Sequence, residues 1–208
     1  LNLLDISKEI EKIKYSSIHL NDDFKIKNLA MAIEAARLCG LKKNLAYSSL
    51  NKLEDVDGRL ELAKKFPQNI QVFIDYAHTP DALLKTLKSL KISHGKNISI
   101  VFGCGGDRDK HKRPLMAKIA NNNCQKIYIT DDNPRNENPA KIRNQLSKYI
   151  SNNKLFNIGK RESAIKKAIQ NAQPNEIILI AGKGHEKKQI YKNRVLNISD
   201  KEIVNKII

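Results

Sequence analysis

The chain has 208 residues, 40% hydrophobic and 29% charged, with a formal net charge of +16. That length suits one large domain, or one domain with part of another, and the composition allows a buried core. No apolar run approaches the ~20 residues that a membrane-spanning helix requires, so no membrane insertion is expected.

The start, Leu1-Asn2-Leu3-Leu4-Asp5, lacks the basic and long apolar regions of a signal peptide and has no initiator Met. An incomplete, cytoplasmic chain is the expectation. The positive charge raises the question of nucleic acid. However, the lysines are scattered, aromatic residues make up 5%, and no RNP, zinc-finger or basic-zipper pattern occurs. Lysines on solvated faces account for the charge, part of which helps attract anionic nucleotides. Cys39, Cys104 and Cys124 lie far apart with no CxxC pair, which argues against structural zinc and for free thiols. Cys104, within a glycine loop, reads as a small residue filling a tight turn.

Residues 1–22 show no clear pattern. Leu29, Ala30, Ile33, Ala36 and Leu38 give a helix over Phe24–Cys39 that stops at Gly40. A short helix is expected around Leu45–Leu53, and the run 55–61 then breaks the helical pattern. From there strands and helices alternate. Strands are expected at Ile70–Tyr76, Asn97–Gly103, Lys126–Thr130, Leu155–Ile158 and Glu176–Ala181. Helices are expected at Pro80–Ile92, Arg113–Ala120, Pro139–Ile150 and Ser163–Asn171. Thr79 is placed to cap the first of these helices, with Pro80 at its first position. Gln189–Tyr191 and Val195–Ile198 read as a hairpin. Ser199 or Asp200 caps a last helix containing Ile203, Val204 and Ile207. Such alternation predicts an α/β domain with a mostly parallel sheet, whose ligands bind beyond the strand C-terminal ends.

Four polar loops fall on that edge. They are Asp75-Tyr76-Ala77-His78-Thr79-Pro80, Gly103-Cys104-Gly105-Gly106-Asp107-Arg108-Asp109-Lys110, Thr130-Asp131-Asp132-Asn133-Pro134-Arg135 and Gly182-Lys183-Gly184-His185-Glu186. Asp-Asn-Pro is turn chemistry, and it presents Arg135, whose planar fork suits a carboxylate. The second loop is a poor dinucleotide fingerprint, with Arg108 where the third Gly belongs, and the fourth is not a phosphate loop. Taken singly, each loop has two readings. Arg108 and Arg135 either meet an anion or are solvated. Glu186 either meets an ammonium group or is exposed. Asp75 and His78 either contact ribose or phosphate, or serve the backbone.

Together with Gly58-Arg59-Leu60-Glu61 and Lys112-Arg113-Pro114-Leu115-Met116, these loops resemble the Mur ligase family in order and spacing, and within it the diaminopimelate-adding branch. The resemblance covers nearly the whole chain and is weakest over residues 1–20. It implies that residues 1–57 are the C-terminal tail of a central ATPase domain. Residues 58–208 would be a Rossmann-like C-terminal domain, a mostly parallel sheet with flanking helices. Phe24-Lys25-Ile26-Lys27-Asn28 resembles the segment whose second Asn contacts adenine, with Lys25 in place of the usual Asn or Gln.

The implied reaction is ATP-dependent, with Mg²⁺. The γ-carboxylate of UDP-N-acetylmuramoyl-L-alanyl-D-glutamate is activated as an acyl phosphate, and meso-diaminopimelate attacks it, in peptidoglycan synthesis. By the same resemblance, Arg108, Asp132, Asn133, Pro134, Arg135, Gly182 and Glu186 line the diaminopimelate site. Asn28, Arg59, Asp75 and His78 would lie along ATP. No metal ligand or catalytic residue is assigned. The P-loop, carbamylated-lysine segment and UDP-binding domain are absent, so the isolated chain is expected to be inactive. A monomer is expected. The alternatives are a related lysine-adding or folylpolyglutamate ligase and a non-catalytic amino-acid or nucleotide-binding domain.

Overall fold

Val72, Phe73 and Ile74 follow one another in sequence and all three are buried, as befits a strand covered on both faces. The computed structural model describes residues 6–16, 23–53, 56–95 and 97–208. The chain divides into two compact units, Leu1–Asp55 and Val56–Ile208.

The first unit contains α1 (Ser7–Ser16), α2 (Asp23–Leu38) and α3 (Lys43–Ser48), followed by a 3-10 turn at Leu50–Lys52. Its buried cluster is Ile13, Ile26, Ala30 and Ile33. Helix α1 arises within the stretch that shows no clear sequence pattern: Ile6, Ile10 and Ile13 recur on one helical face and pack into this cluster. The rest of that stretch, 1–5 and 17–22, lies outside the described residues, as does position 55 of the pattern break. Leu38, expected on the apolar stripe, is 64% exposed. The helix expected at Leu45–Leu53 is interrupted. The Ser48 and Ser49 hydroxyls both donate to Leu45 O at 2.9 Å, a local competition that serine offers to helical bonding.

The second unit runs β1 (Glu61–Phe66), β2 (Ile70–Asp75), α4 (Pro80–His94), β3 (Ile98–Phe102), α5 (Lys112–Asn123), β4 (Lys126–Ile129), α6 (Pro139–Ser147) and β5 (Leu155–Asn157). It continues with α7 (Arg161–Gln170), β6 (Ile177–Ala181), β7 (Lys188–Tyr191), β8 (Arg194–Asn197) and α8 (Asp200–Asn205). The sheet order is β1-β2-β6-β3-β4-β5, with β7 and β8 as a separate hairpin. All neighbours from β2 to β5 are parallel. Strand β1 is an antiparallel edge that the sequence reading misses. Its two lysines and exposed Leu62 mask the alternation of a strand covered on one side.

The crossovers from β2 through β3 and β4 to β5 step in one direction, and the crossover from β5 to β6 steps back. Right-handed connections therefore put α4, α5 and α6 on one face and α7 on the other. Ala164, Ile165 and Ala168 of α7 and Val204 of α8 pack with Val72, Ile74, Val101, Tyr128, Ile178 and Ile180. The alternate strand residues Phe73, Ile100, Phe102 and Ile129 are buried outside this cluster, on the opposite face. Thr79 Oγ1 accepts from Ala82 N at 3.3 Å and caps α4. Ser199 caps α8, while Asp200 is buried and paired elsewhere. Among the described residues no helix is long and apolar enough to cross a membrane.

Candidate functional site

The four polar loops emerge at the C-terminal ends of β2, β3, β4 and β6, which are adjacent strands, so topology gathers them at one edge. After β4, Asp132 Oδ1 accepts from Asn133 N at 2.6 Å, an Asx-type local bond. Asp132, Asn133 and Pro134 are all buried. Gly106 N donates to Asn133 O at 2.9 Å and locks the β3 loop to the β4 loop. The approach is so close that a Cβ on Gly106 would stand 1.9 Å from Pro134 O.

Arg135 adopts φ +50°, a conformation that costs a non-glycine residue roughly 1–3 kcal/mol and needs support. The support is hairpin β7–β8: Arg135 N donates to Ile190 O at 3.0 Å. Arg135 Nη1 turns inward to Gly106 O at 2.9 Å and Asn133 O at 3.3 Å. Arg108 is exposed and donates to its neighbour Asp107 O at 3.2 Å, with no ion pair among the described residues. Both arginines flank Gly105: a Cβ there would lie 2.8 Å from Arg135 Nη1 and 3.9 Å from Arg108 Cγ.

The β6 loop closes the other side. Asn133 Nδ2 donates to Glu186 Oε2 at 3.1 Å, and Asn133 Oδ1 accepts from Ile190 N at 2.9 Å. Gly182 lies beside Asp132, since a Cβ there would meet Asp132 Oδ2 at 2.9 Å. Burial acts to raise the Glu186 pKa, but hydrogen bonds from Lys183, Asn133 and Tyr76 and the charge of Lys183 outweigh it. The carboxyl group is held below its ordinary range.

A second group forms at the β2 exit. The Arg59 guanidinium lies 4.3 Å from the Tyr76 ring centroid, and His78 meets the same ring edge-on at 4.7 Å. His185 completes the group at 5.7 Å from Tyr76. Gly184, at φ +52°, lets its backbone pass Gly58 and Tyr76. His78 is exposed and its Nδ1 lies 2.8 Å from Tyr76 O. Asp75 is buried, with both oxygens engaged internally: Leu60 N at 2.7 Å, Ala77 N at 2.9 Å and Thr86 Oγ1 at 3.0 Å. It therefore holds the loop together. Asn28 is exposed on α2, in the first unit.

Sequence reasoning misses four residues here. Tyr76 borders both groups: it carries the Arg59 and His78 contacts and acts to hold the Glu186 carboxyl down. Lys183, given no role, is completely buried. Arg113 is also buried and donates to Glu137 Oε1 and Oε2, Gln145 Oε1 and Gly105 O at 2.6–3.1 Å. Glu137 in turn accepts from Asp107 N at 2.8 Å, which fixes the turn carrying Arg108. The Arg113 hydrogen bonds lead the causes that hold Glu137 down to about 2, against a smaller opposing effect of burial. The one signal was position: Arg113 is the second residue of α5 and ends the charged run 107–113, which otherwise reads as surface.

A family model described as "Mur ligase, glutamate ligase domain" matches residues 58–184. The chain belongs to the Mur ligase family. Among curated members of the Mur ligase family, the chain is 45% identical over 190 residues to a UDP-N-acetylmuramoyl-L-alanyl-D-glutamate–2,6-diaminopimelate ligase of Wigglesworthia glossinidia brevipalpis. It is 42% identical over 187 residues to the ligase of the same name from Rickettsia montanensis. Each match covers 89% of this chain and 38% of the relative. A solved structure of a UDP-N-acetylmuramoyl-L-alanyl-D-glutamate–2,6-diaminopimelate ligase superposes with a TM-score of 0.67 at 36% identity, over 88% of this chain and 37% of that one. The chain thus spans about two-fifths of the length of the Mur ligases it matches.

Proposed function

We propose that this chain carries the acceptor-amino-acid site of an ATP-dependent, ADP-forming amide-bond ligase, one that joins meso-diaminopimelate to UDP-N-acetylmuramoyl-L-alanyl-D-glutamate. The observation that carries this reading is the built Asp132–Arg135 turn. It sets Arg135 and Arg108 on one side and Asn133 with an ionised Glu186 on the other. The distal end of diaminopimelate bears one carboxylate and one ammonium group. Two guanidinium groups complement the first, and Glu186 complements the second. Lysine has no distal carboxylate for Arg135.

The chain's own contribution is positioning. The acceptor is gripped at its distal end, so its other amine projects from the sheet edge toward the activated carboxylate. ATP with Mg²⁺ supplies the phosphoryl group that activates that carboxylate. Arg59, His78 and His185, gathered on Tyr76, form a cationic and aromatic group suited to nucleotide phosphates. Among the described residues no three His, Cys, Asp or Glu side chains converge as a metal site. By the family resemblance, Mg²⁺ would be held by the ATP phosphates and by the central domain of a longer chain, in which residues 1–57 form the tail of the ATP-binding domain. On this reading the isolated chain binds without turning over, acts in the cytoplasm and is monomeric.

Calorimetric titration with meso-diaminopimelate, with L-lysine as control, tests the proposal on this chain and on the longer ligase. Binding of diaminopimelate but not lysine supports it. A longer ligase that incorporates lysine as well as diaminopimelate overturns it.

A further inference from the structure

Lys183 leaves β6 with its side chain fully buried, in a loop otherwise open to solvent on His185 and Glu186. An ammonium group has three donors and no acceptor. The fold supplies three acceptors: Lys188 O at 2.6 Å, Glu186 Oε2 at 3.1 Å and Asn133 Oδ1 at 3.4 Å. These come from the start of β7, from the β6 loop and from the β4 loop.

We propose that Lys183 is a positioning residue of the acceptor site: it turns the Asn133 amide and fixes the Glu186 carboxylate so that Glu186 receives the ammonium group of the incoming amino acid. This inference rests on the function proposed above. Asn133 Oδ1 accepts from Lys183 and from Ile190 N, so Nδ2 is left for Glu186 and the amide has a single orientation. Glu186 Oε2 is occupied by Lys183 and Asn133 together. The rest of the carboxylate, a third exposed, faces the site with Tyr76 beside it.

The charge of Lys183 matters as well as its bonds. An ammonium ligand pairs with a carboxylate and not with a carboxylic acid. The groups that act on Glu186 are Lys183 in its own loop, Asn133 from the β4 exit, Tyr76 from the β2 exit and the charge of buried Arg161 on α7. Lys183 is the cation bonded to Glu186 among the described residues. A lysine serving only as a structural pin between β6 and β7 would be indifferent to the charge on Glu186, and this difference can be measured.

The test is a double-mutant cycle in the full ligase that contains this chain, using Lys183→Met, Glu186→Gln and the pair. The expected result is that Lys183→Met raises the KM for diaminopimelate about tenfold or more with kcat little changed. In the Glu186→Gln background the same change adds less than about threefold. Lys183→Arg, which keeps the cation, recovers part of the affinity. Carbon-13 titration of the Glu186 carboxyl without ligand gives a readout independent of the acceptor, and its midpoint rises in Lys183→Met. Equal KM penalties in both backgrounds, with an unmoved Glu186 midpoint, would overturn the inference and leave Lys183 a structural pin. If Lys183→Met does not fold, Lys183→Arg takes its place in the cycle: an Arg substitution whose KM penalty is the same in the parent and in the Glu186→Gln background also overturns it. A parent enzyme that ignores diaminopimelate refutes the proposed function instead, while the carboxyl titration still judges Lys183.

Discussion

Asn133 donates to Glu186 at 3.1 Å across 53 residues of sequence. That bond joins the exit of β4 to the exit of β6, which lie on either side of β3. The proposed acceptor site is therefore a property of the sheet order. Three loops contribute, and each is held by backbone or buried groups of another: Gly106 on Asn133, Ile190 on both Asn133 and Arg135, and Arg113 on Gly105.

Arg135 is the residue whose replacement should separate diaminopimelate from other acceptors. Its guanidinium already spends Nη1 on Gly106 O and Asn133 O, which orients the fork. Lysine at this position keeps the charge but loses the planar pair of donors. In the full ligase, Arg135→Lys is expected to raise the KM for diaminopimelate about tenfold, with kcat changed far less. Arg135→Ala should do at least as much. Kinetics indistinguishable from the parent would remove Arg135 from the site.

Glu137 gives a pH test of the scaffold beneath Arg108. Its pKa is lowered from 4.5 to about 2, chiefly through its hydrogen bonds with Arg113. The folded state thus favours the ionised form. Its stabilising contribution is full above the unfolded value of 4.5 and is lost as pH falls toward about 2. Urea midpoints measured between these limits should fall with pH in the parent and fall less steeply in Glu137→Gln. Parallel curves would show that the Arg113–Glu137 pair carries no pH-linked stability.

Much of this architecture is legible in the sequence because buried parallel strands are continuous apolar runs. Ile98–Phe102 and Ile177–Ala181 could be read almost to the residue, and the polar loops after them follow from topology. Strand β1 was not legible: an edge strand in which Lys64 is half-buried, donating to Ile207 O, and only Lys65 is exposed lacks both a continuous apolar run and a clean alternation. The buried charges were hidden for a different reason. Lys183 and Arg113 stand in stretches rich in charge and glycine, where a solvated residue is the ordinary expectation. Only the fold brings their acceptors within reach, from Lys188 and Asn133 in one case and Glu137 and Gln145 in the other. Asp75 shows the reverse. A carboxylate at a strand exit looks available to a ligand until Leu60, Ala77 and Thr86 are found on its oxygens.

The cysteines should differ sharply in reactivity. Burial pushes the thiols of Cys104 and Cys124 up to about 12, while Cys39 is exposed on the first unit. The thiolate is the nucleophile, so a thiol raised that far is inert near neutral pH. Iodoacetamide at pH 8 is expected to modify Cys39 in the native protein, and Cys104 and Cys124 only after denaturation. Peptide mapping reads this directly. Native labelling of Cys104 at the rate of Cys39 would contradict its place as a buried filler of the glycine turn.

Arg161 and Asp200 form the most enclosed ion pair among the described residues, with both side chains wholly buried. Arg161 Nε and Nη2 each bond an Asp200 oxygen at 2.7 Å, and Nη2 also reaches Ala181 O at 3.1 Å, just before the β6 loop. The pair thereby pins α7 and α8 to the strand that delivers Glu186. Removing one partner strands a buried charge, and such losses cost about 3–5 kcal/mol. Removing both leaves no charge to strand. Asp200→Ala is therefore expected to lower stability to urea far more than Arg161→Met combined with Asp200→Leu. In the single variant, loosening at Ala181 should also weaken diaminopimelate binding in the full ligase. Equal destabilisation by the single and paired changes would show that the bonds themselves, and not the uncompensated charge, set the cost.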